Sequence, residues 1–344
     1  MTKEIKLRPI LVLGAGSWGT AVAIHMANLG HDVILWGRDK AQLNNMREER
    51  VNSKYLPGYA FPINLTLTDN IEDVIADVRA VFCMVPSSGA LKLLEQIESY
   101  YPQNIPFIFG TKGVICSDDG FTFLHDIASN MLPNTSFAMI SGPSFAKEVA
   151  AGKPTAIVAA SASVELLDLV QKIMHGNNLR LYKTFDIGGV VACSIMKNII
   201  AVASGIVDGL ELGANTRSAL ITRGIAEMQR FVSFLGCNQG TLMGLAGMGD
   251  LILTCTDDQS RNRQLGLAIG RGKSTKNAKN EITQSIESLQ SIASVVDFSG
   301  KNNIDMPITN YVYQVLLGKI TPDIALESLL TRAPKYEDNS ITQS

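Results

Sequence analysis

The segment Ile187 to Val207 reads IGGVVACSIMKNIIAVASGIV, apolar except for one charge, Lys197, near its middle. An ammonium among so many apolar side chains is costly unless it has a partner or a task. The run is long enough to cross a membrane, but a lysine at a span centre costs roughly 2.5–3.5 kcal/mol. Two glycines near its start and Asn198 after the lysine also count against a span. A buried helix of a globular core accounts for it better. Burial disfavours the charged form of lysine, which suits it to proton transfer. Asp250 and Thr254, four residues apart in LAGMGDLILT, share one face of a helical turn. Asp250 lies in an apolar setting, and Lys197 as its partner would satisfy both charges. Spacing alone equally allows an Asp stabilised by the dipole at a helix start. Further on, Ser260-Arg-Asn-Arg sets a helix cap before Arg261 and Asn262. The N–H groups of a first helical turn, a guanidinium and an amide together make an anion site. Arg261 and Arg263 read as readily as a solvated helix face.

These residues need a scaffold, and the first half of the chain has the pattern of one. Lys6 to Leu13 reads as a strand leading into Gly14-Ala-Gly-Ser-Trp-Gly, with a small-residue helix following to Leu29. Strand, glycine turn and helix in this order are the context that the G-x-G-x-x-G dinucleotide fingerprint requires. Gly14 permits the turn, Gly16 lets a pyrophosphate approach the backbone, and Gly19 lets helix and strand pack closely. The next strand, His31 to Trp36, ends in Gly37-Arg38-Asp39. Arg38 near the ribose position suits a 2′-phosphate and favours NADPH over NADH, while Asp39 beside it and a merely solvated Arg38 leave the choice open.

Strands are expected at Ala80 to Val85, Pro106 to Phe109, Phe137 to Ile140, Thr155 to Ala160 and Leu179 to Thr184, with helices between them. That alternation predicts a parallel, doubly wound sheet with ligands at the carboxyl ends of its strands. Lys112, in Gly110-Thr-Lys-Gly113, stands at such an end, where a surface lysine and a ligand contact are equally open readings. In Ser141-Gly-Pro-Ser, Ser144 can cap a helix and the Gly142 backbone can come close to a ligand. KYLPGYAFP reads as loop, Arg271 to Lys279 as a solvated loop, Glu281 to Ala293 as helix, and the polar tail after Arg332 as disordered. Strand patterns stop near Asp186. The expected organisation is an α/β Rossmann-type domain over 1–187, followed by an all-α substrate domain over 188–344.

The chain has 344 residues, 46% hydrophobic and 18% charged, with a formal net charge of -2. That near-neutral balance excludes the strongly basic footprint of a nucleic-acid binder. Its five cysteines are scattered without metal-ligand spacing and read as reduced thiols, so no metal site is expected. The N-terminus carries no apolar core of signal-peptide length, and a cytoplasmic protein with no membrane span is expected.

In their order and spacing, GAGSWGTA, Thr111-Lys112-Gly113, ISGPSFAKE, Lys197-Asn198, GLAGMGDLILTCTD and SRNR resemble the bacterial NAD(P)-dependent glycerol-3-phosphate dehydrogenases from about Ile10 to Leu330. The resemblance implies that Ser17, Trp18, Arg38, Lys112, Ala146, Arg261 and Glu287 contact the cofactor, beside Gly14, Gly16 and Gly19. It implies substrate contacts for Lys112, Gly142, Ser144, Lys197, Asp250, Ser260, Arg261 and Asn262, and Asn198 and Thr254 are read as hydrogen-bonding support in the same substrate site. Lys197 would be the proton acceptor in glycerol phosphate oxidation, with Lys112 and Asp250 beside it in the catalytic group. Substrates would be dihydroxyacetone phosphate and sn-glycerol 3-phosphate, and the expected assembly is a homodimer. One departure concerns the cofactor: where the family has a VVEG-type segment, Glu287 fits while Ser285 and Ser288 do not. A hydroxyacid or 6-phosphogluconate-type dehydrogenase, or a non-catalytic dinucleotide sensor, are the alternatives.

Overall fold

The computed structural model describes residues 8–111, 114–117, 120–176, 178–282 and 286–333. Eight strands form one sheet: β1 (Ile10–Leu13), β2 (Val33–Trp36), β3 (Leu65–Thr68), β4 (Ala80–Cys83), β5 (Phe107–Phe109), β6 (Phe137–Ser141), β7 (Thr155–Ala160) and β8 (Leu179–Thr184). Their order across the sheet is β8-β7-β6-β5-β4-β1-β2-β3. Strands β1, β4 and β5 are buried along their whole length, as strands covered by helices on both faces must be. In β1, Ile10 pairs in parallel with Val33 on one side and with Ala80 on the other. The chain reverses its winding direction at β1, which opens the ligand crevice at the carboxyl end of that strand.

The sheet is not wholly parallel, which corrects the sequence expectation. Strands β6 and β7 run antiparallel, with Met139 opposite Ala160 and Ser141 opposite Val158. The helix between them, Ala146–Ala150, has only 5 residues. A helix that short does not carry the chain back along the sheet, so β7 returns alongside β6 instead.

Other local differences have equally simple causes. KYLPGYAFP is not all loop, because Leu56–Ala60 pairs with Val51–Asn52 in a hairpin anchored by buried Leu56 and Asn52. A second hairpin, Val114–Ser117 with Gly120–Phe123, was not anticipated. Within the expected loop over Arg271 to Lys279, Thr275–Glu281 is helical, capped by Ser274 Oγ and held by buried Ala278. The helix expected from Glu281 is displaced to Ser288–Lys301. The tail expected to be disordered lies, from residue 334 on, outside the described residues.

After β8 the described chain is helical. The central helix, Ile187–Gly209, has a mean hydropathy of 2.0 over its most apolar 18 residues, and that window is wholly buried in the fold. Asp186 starts it by accepting a hydrogen bond from Gly189 N through Oδ1 at 2.9 Å. The other oxygen, Oδ2, accepts from Asn238 N at 3.0 Å and Thr241 Oγ1 at 2.6 Å, so one carboxylate fixes two helix starts. The helix Arg261–Gly270 lies against the central helix backbone to backbone. A Cβ on Gly205 would stand 2.1 Å from Arg263 O, and one on Gly266 would stand 2.0 Å from Val202 O. Any side chain at either position would force the two helices apart.

Candidate active site

A cleft of about 670 Å3 lies between the glycine turn after β1 and the helical part. On the sheet side, Gly14 adopts φ +118°, and a Cβ there would press on Met84 C and Val85 N at 3.0 Å. Gly19 approaches the same turn so closely that a Cβ would sit 1.9 Å from Gly14 O. At Gly16 the reverse holds, since a Cβ would meet nothing within 4 Å. Gly16 precedes the helix Ser17–Asn28, which has no side-chain cap. Open space before an uncapped helix start is the cradle that a pyrophosphate fills, with N–H groups and dipole favouring the anion. The residues present therefore fit a dinucleotide. Ser17 and Trp18 line the cleft, and Ser17 Oγ donates to Tyr55 O at 2.8 Å, fastening the first hairpin over the turn.

On the helical side, Lys197 is 6% exposed and Asp250 2%. Lys197 Nζ donates to Asp250 Oδ1 at 2.7 Å and to Thr254 Oγ1 at 3.0 Å, and all three residues line the cleft. Thr254 Oγ1 also lies 2.6 Å from Asp250 O, where it donates. The pairing of Asp250 with Lys197, one of two readings open from spacing, is thus the observed one. Asp250 begins the helix Asp250–Thr256, directly after a π-helical turn at Leu245–Gly249. Such turns are uncommon and recur at functional sites.

Beside the lysine, Asn198 Nδ2 donates to Glu287 Oε2 at 3.0 Å, and Asn198 Oδ1 accepts from Asn262 Nδ2 at 2.9 Å. Ser288 N in turn donates to Asn262 Oδ1 at 3.3 Å. Ser260 caps its helix, its Oγ accepting from Arg263 N at 3.3 Å. Ser260, Arg261 and Asn262 all line the cleft, next to the first turn of a ten-residue helix.

These features, a dinucleotide cradle and a buried Lys–Asp–Thr group facing one cleft, agree with the comparisons. The profile of the NAD-dependent glycerol-3-phosphate dehydrogenase N-terminus matches residues 9–167, and that of its C-terminus matches 186–327. The chain belongs to the NAD-dependent glycerol-3-phosphate dehydrogenase family. It is 43% identical over 329 residues to a glycerol-3-phosphate dehydrogenase [NAD(P)+] of Xanthomonas euvesicatoria pv. vesicatoria, covering 95% of this chain and 96% of the relative. The crystal structure of glycerol-3-phosphate dehydrogenase from Coxiella burnetii superposes with a TM-score of 0.91 at 41% identity, covering 95% of this chain and 99% of that one. The Saccharomyces cerevisiae glycerol-3-phosphate dehydrogenase structure shares the fold at 23% identity, with a TM-score of 0.81 over 94% of this chain and 99% of that one.

Of the residues expected from the sequence, the cleft gathers Ser17, Trp18, Gly142, Ser144, Ala146, Lys197, Asn198, Asp250, Thr254, Ser260, Arg261, Asn262 and Glu287. Lys112 and Ser285 lie outside the described residues. Arg38 is exposed at the end of β2, and its neighbour Asp39 is engaged as a helix cap, accepting from Gln42 N at 3.1 Å. Ser144 does not cap a helix. Its Oγ donates to Gly142 O at 2.9 Å and closes the turn, because the helix starts later, at Ala146. Arg263 is not a solvated residue. It is 8% exposed and faces Asp208 and Asp258.

Tyr55, Lys147, Asp258, Gln259 and Glu281 also line the cleft and were missed. The aromatic beside the Pro-Gly turn in KYLPG was the one local signal for Tyr55. No group of His, Cys, Asp and Glu among the described residues could hold a metal ion. Burial pushes the thiols of Cys193 and Cys255 up to about 12, leaving them inert.

Proposed function

We propose that the protein interconverts dihydroxyacetone phosphate and sn-glycerol 3-phosphate with NAD(P)H, the product serving glycerophospholipid biosynthesis. The observation that carries this reading is the buried Lys197–Asp250–Thr254 group facing the same cleft as Ser17 and Trp18 beside the glycine turn. Gly14, Gly16 and Gly19 with Ser17, Trp18, Ala146, Arg261 and Glu287 hold the dinucleotide, which supplies a hydride when bound. Lys197 Nζ gives a proton to the carbonyl oxygen of dihydroxyacetone phosphate as that oxygen becomes negative, and takes it back in the reverse direction. Asp250 and Thr254 aim the amine and hold its charge, which a buried lysine requires. Lys112 adds positive charge near the developing oxyanion. Ser260, Arg261 and Asn262 grip the phosphate, and Gly142 and Ser144 shape the opposite wall, so that a three-carbon substrate has one productive orientation.

Arg38, exposed beside an Asp39 already used as a cap, favours NADPH over NADH. A dinucleotide sensor has no use for a lysine buried on an aspartate in the cleft, which weighs against that alternative. We place the domain boundary at 187/188, where the last strand gives way to the central helix. The protein is proposed to be cytoplasmic and homodimeric. A groove of about 1140 Å3 with a mixed apolar and charged lining runs between the helices Gly213–Phe234, Pro307–Leu316 and Pro322–Leu330, and the exposure of Phe234 (50%) and Leu330 (75%) supports a partner there.

The test is direct. Purified protein is mixed with NADPH and dihydroxyacetone phosphate, loss of reduced-cofactor absorbance is followed, and the assay is repeated with NADH. Oxidation with both, faster with NADPH, is expected. No oxidation by folded protein that binds NADPH would overturn the reading.

A further inference from the structure

Among the described residues, five carboxylates line the cleft, Asp250, Asp257, Asp258, Glu281 and Glu287, against three cations, Lys147, Lys197 and Arg261. The proposed substrate carries a phosphate and the dinucleotide a pyrophosphate, so a wall of this charge needs compensation from behind. Two of the carboxylates receive it from cations that do not line the cleft. Lys273 Nζ holds both oxygens of Glu281, at 2.6 and 2.7 Å. Arg263 Nε donates to Asp258 Oδ1 at 3.0 Å.

The Arg263 contact bears on the phosphate site. The Asp258 side chain is 74% exposed and stands two residues before Ser260, while that of Arg263 is 9% exposed. The other end of the guanidinium pairs through Nη1 with Asp208 Oδ2, near the end of the central helix. Asp208 also accepts from Arg217 Nη1 at 2.9 and 3.0 Å, which anchors it to the following helix. Gln264 Nε2 donates to Asp258 O at 2.6 Å, and Arg263 N binds Ser260 Oγ. One buried guanidinium therefore ties the 257–260 turn to the helix that carries Lys197. Only arginine's planar fork serves two carboxylates in divergent directions this way, since a lysine ammonium is a single point.

We propose that Arg263 is a positioning residue that determines specificity for a phosphorylated substrate: without touching the substrate, it cancels the charge of Asp258 and fixes the turn that presents Ser260, Arg261 and Asn262. The inference rests on the phosphate docking proposed above. Without Arg263, Asp258 would face the incoming dianion uncompensated, and salt would screen that repulsion.

The experiment compares the full-length protein with Arg263→Met, measuring KM for dihydroxyacetone phosphate at low and high ionic strength, kcat, KM for NADPH and the thermal midpoint. Wild-type turnover of dihydroxyacetone phosphate is the control, and its absence would fail the functional reading before this one is tested. Arg263→Met should raise KM for dihydroxyacetone phosphate about 10-fold at low salt and less at high salt, with kcat within about 2-fold and the NADPH KM, which Arg261 also serves, changed less than that for dihydroxyacetone phosphate. Adding Asp258→Asn to that variant should restore most of the lost KM. A lowered thermal midpoint with unchanged KM, or a KM defect that Asp258→Asn does not repair, would reduce Arg263 to a structural role and overturn the proposal. Should Arg263→Met not fold, Asp258→Asn alone decides. It removes one negative charge from the cleft wall while Arg263 keeps its contact with Asp208, and should tighten inhibition by inorganic phosphate about 3-fold, whereas unchanged inhibition overturns the proposal.

Discussion

In the sheet half, the main features proposed to face a ligand are backbone. Gly14 holds a left-handed turn, Gly16 leaves open space, and Ser17–Asn28 presents an uncapped helix start, all within a few residues. In the helical half they are side chains: Lys197, Asp250 and Thr254 come from two helices, and Asn198, Asn262 and Glu287 from three segments. The contrast follows from the task. A pyrophosphate is satisfied by N–H groups and a dipole that any chain can present, whereas proton transfer needs one titratable atom held against a counter-charge. Glycine serves both halves, but for opposite reasons. In the turn it admits a ligand, and between the central helix and Arg261–Gly270 it admits another backbone.

Lys197→Ala should break the comparison most severely. Turnover is expected to fall by about 10^2- to 10^4-fold while NADPH titration by fluorescence stays near wild type, since the cradle is built in the other half. Near-normal turnover would remove the lysine from the chemistry.

Next in size is a matched pair of glycine variants. Gly266→Ala should destabilise the fold by about 1–3 kcal/mol in denaturant unfolding, because its Cβ would stand 2.0 Å from Val202 O. Gly16→Ala should leave the unfolding midpoint alone and raise the cofactor KM, since its Cβ enters space meant for the ligand. Equal stability losses in both would erase the proposed difference between the two glycine roles.

Arg38→Ala refines the sheet half. It should raise the KM for NADPH about 10-fold and leave that for NADH unchanged, as expected of a residue that reads only a 2′-phosphate. Parallel changes for both cofactors would return Arg38 to the solvated surface.

The smallest effect concerns pH. Burial lowers the pKa of His25 below its ordinary 6.5, against a raising hydrogen bond to Met174 O, and burial likewise lowers that of His31. Below 6.5 the unfolded chain then binds more protons than the folded one. Stability from these histidines is present above 6.5 and is lost as pH falls through their folded values. Buried Glu227, raised by burial, acts in the opposite sense, its contribution being lost as pH rises through its folded value. Denaturant midpoints at pH 7.5 and 5.5 should show the loss on acidification, and His25→Gln, whose amide can still donate to Met174 O, should lessen it. An unchanged slope in that variant would assign the loss elsewhere.

The fingerprint turn, the strand runs and the buried central helix were legible because each is a local pattern of spacing and polarity. The Ser260 cap was legible for the same reason. Other features depended on partners far along the chain. Thr275–Glu281 is made helical by the cap at Ser274 and by burial of Ala278, and neither outweighs the polar composition when read in isolation. The antiparallel turn of β7 depends on a helix too short to return the chain.

By itself, then, the sequence determined the α/β-then-α organisation, the dinucleotide cradle and the family, because periodicity, glycine spacing and ordered motifs are properties of neighbouring residues. Tertiary structure decided that Asp250 meets Lys197, 53 residues away, and not merely a helix dipole. It also decided that Arg263 is buried between Asp208 and Asp258 while Arg261 lines the cleft. The reason is physical: two arginines two positions apart on a helix face different directions, and only the packing of the central helix fixes which one lines the cleft.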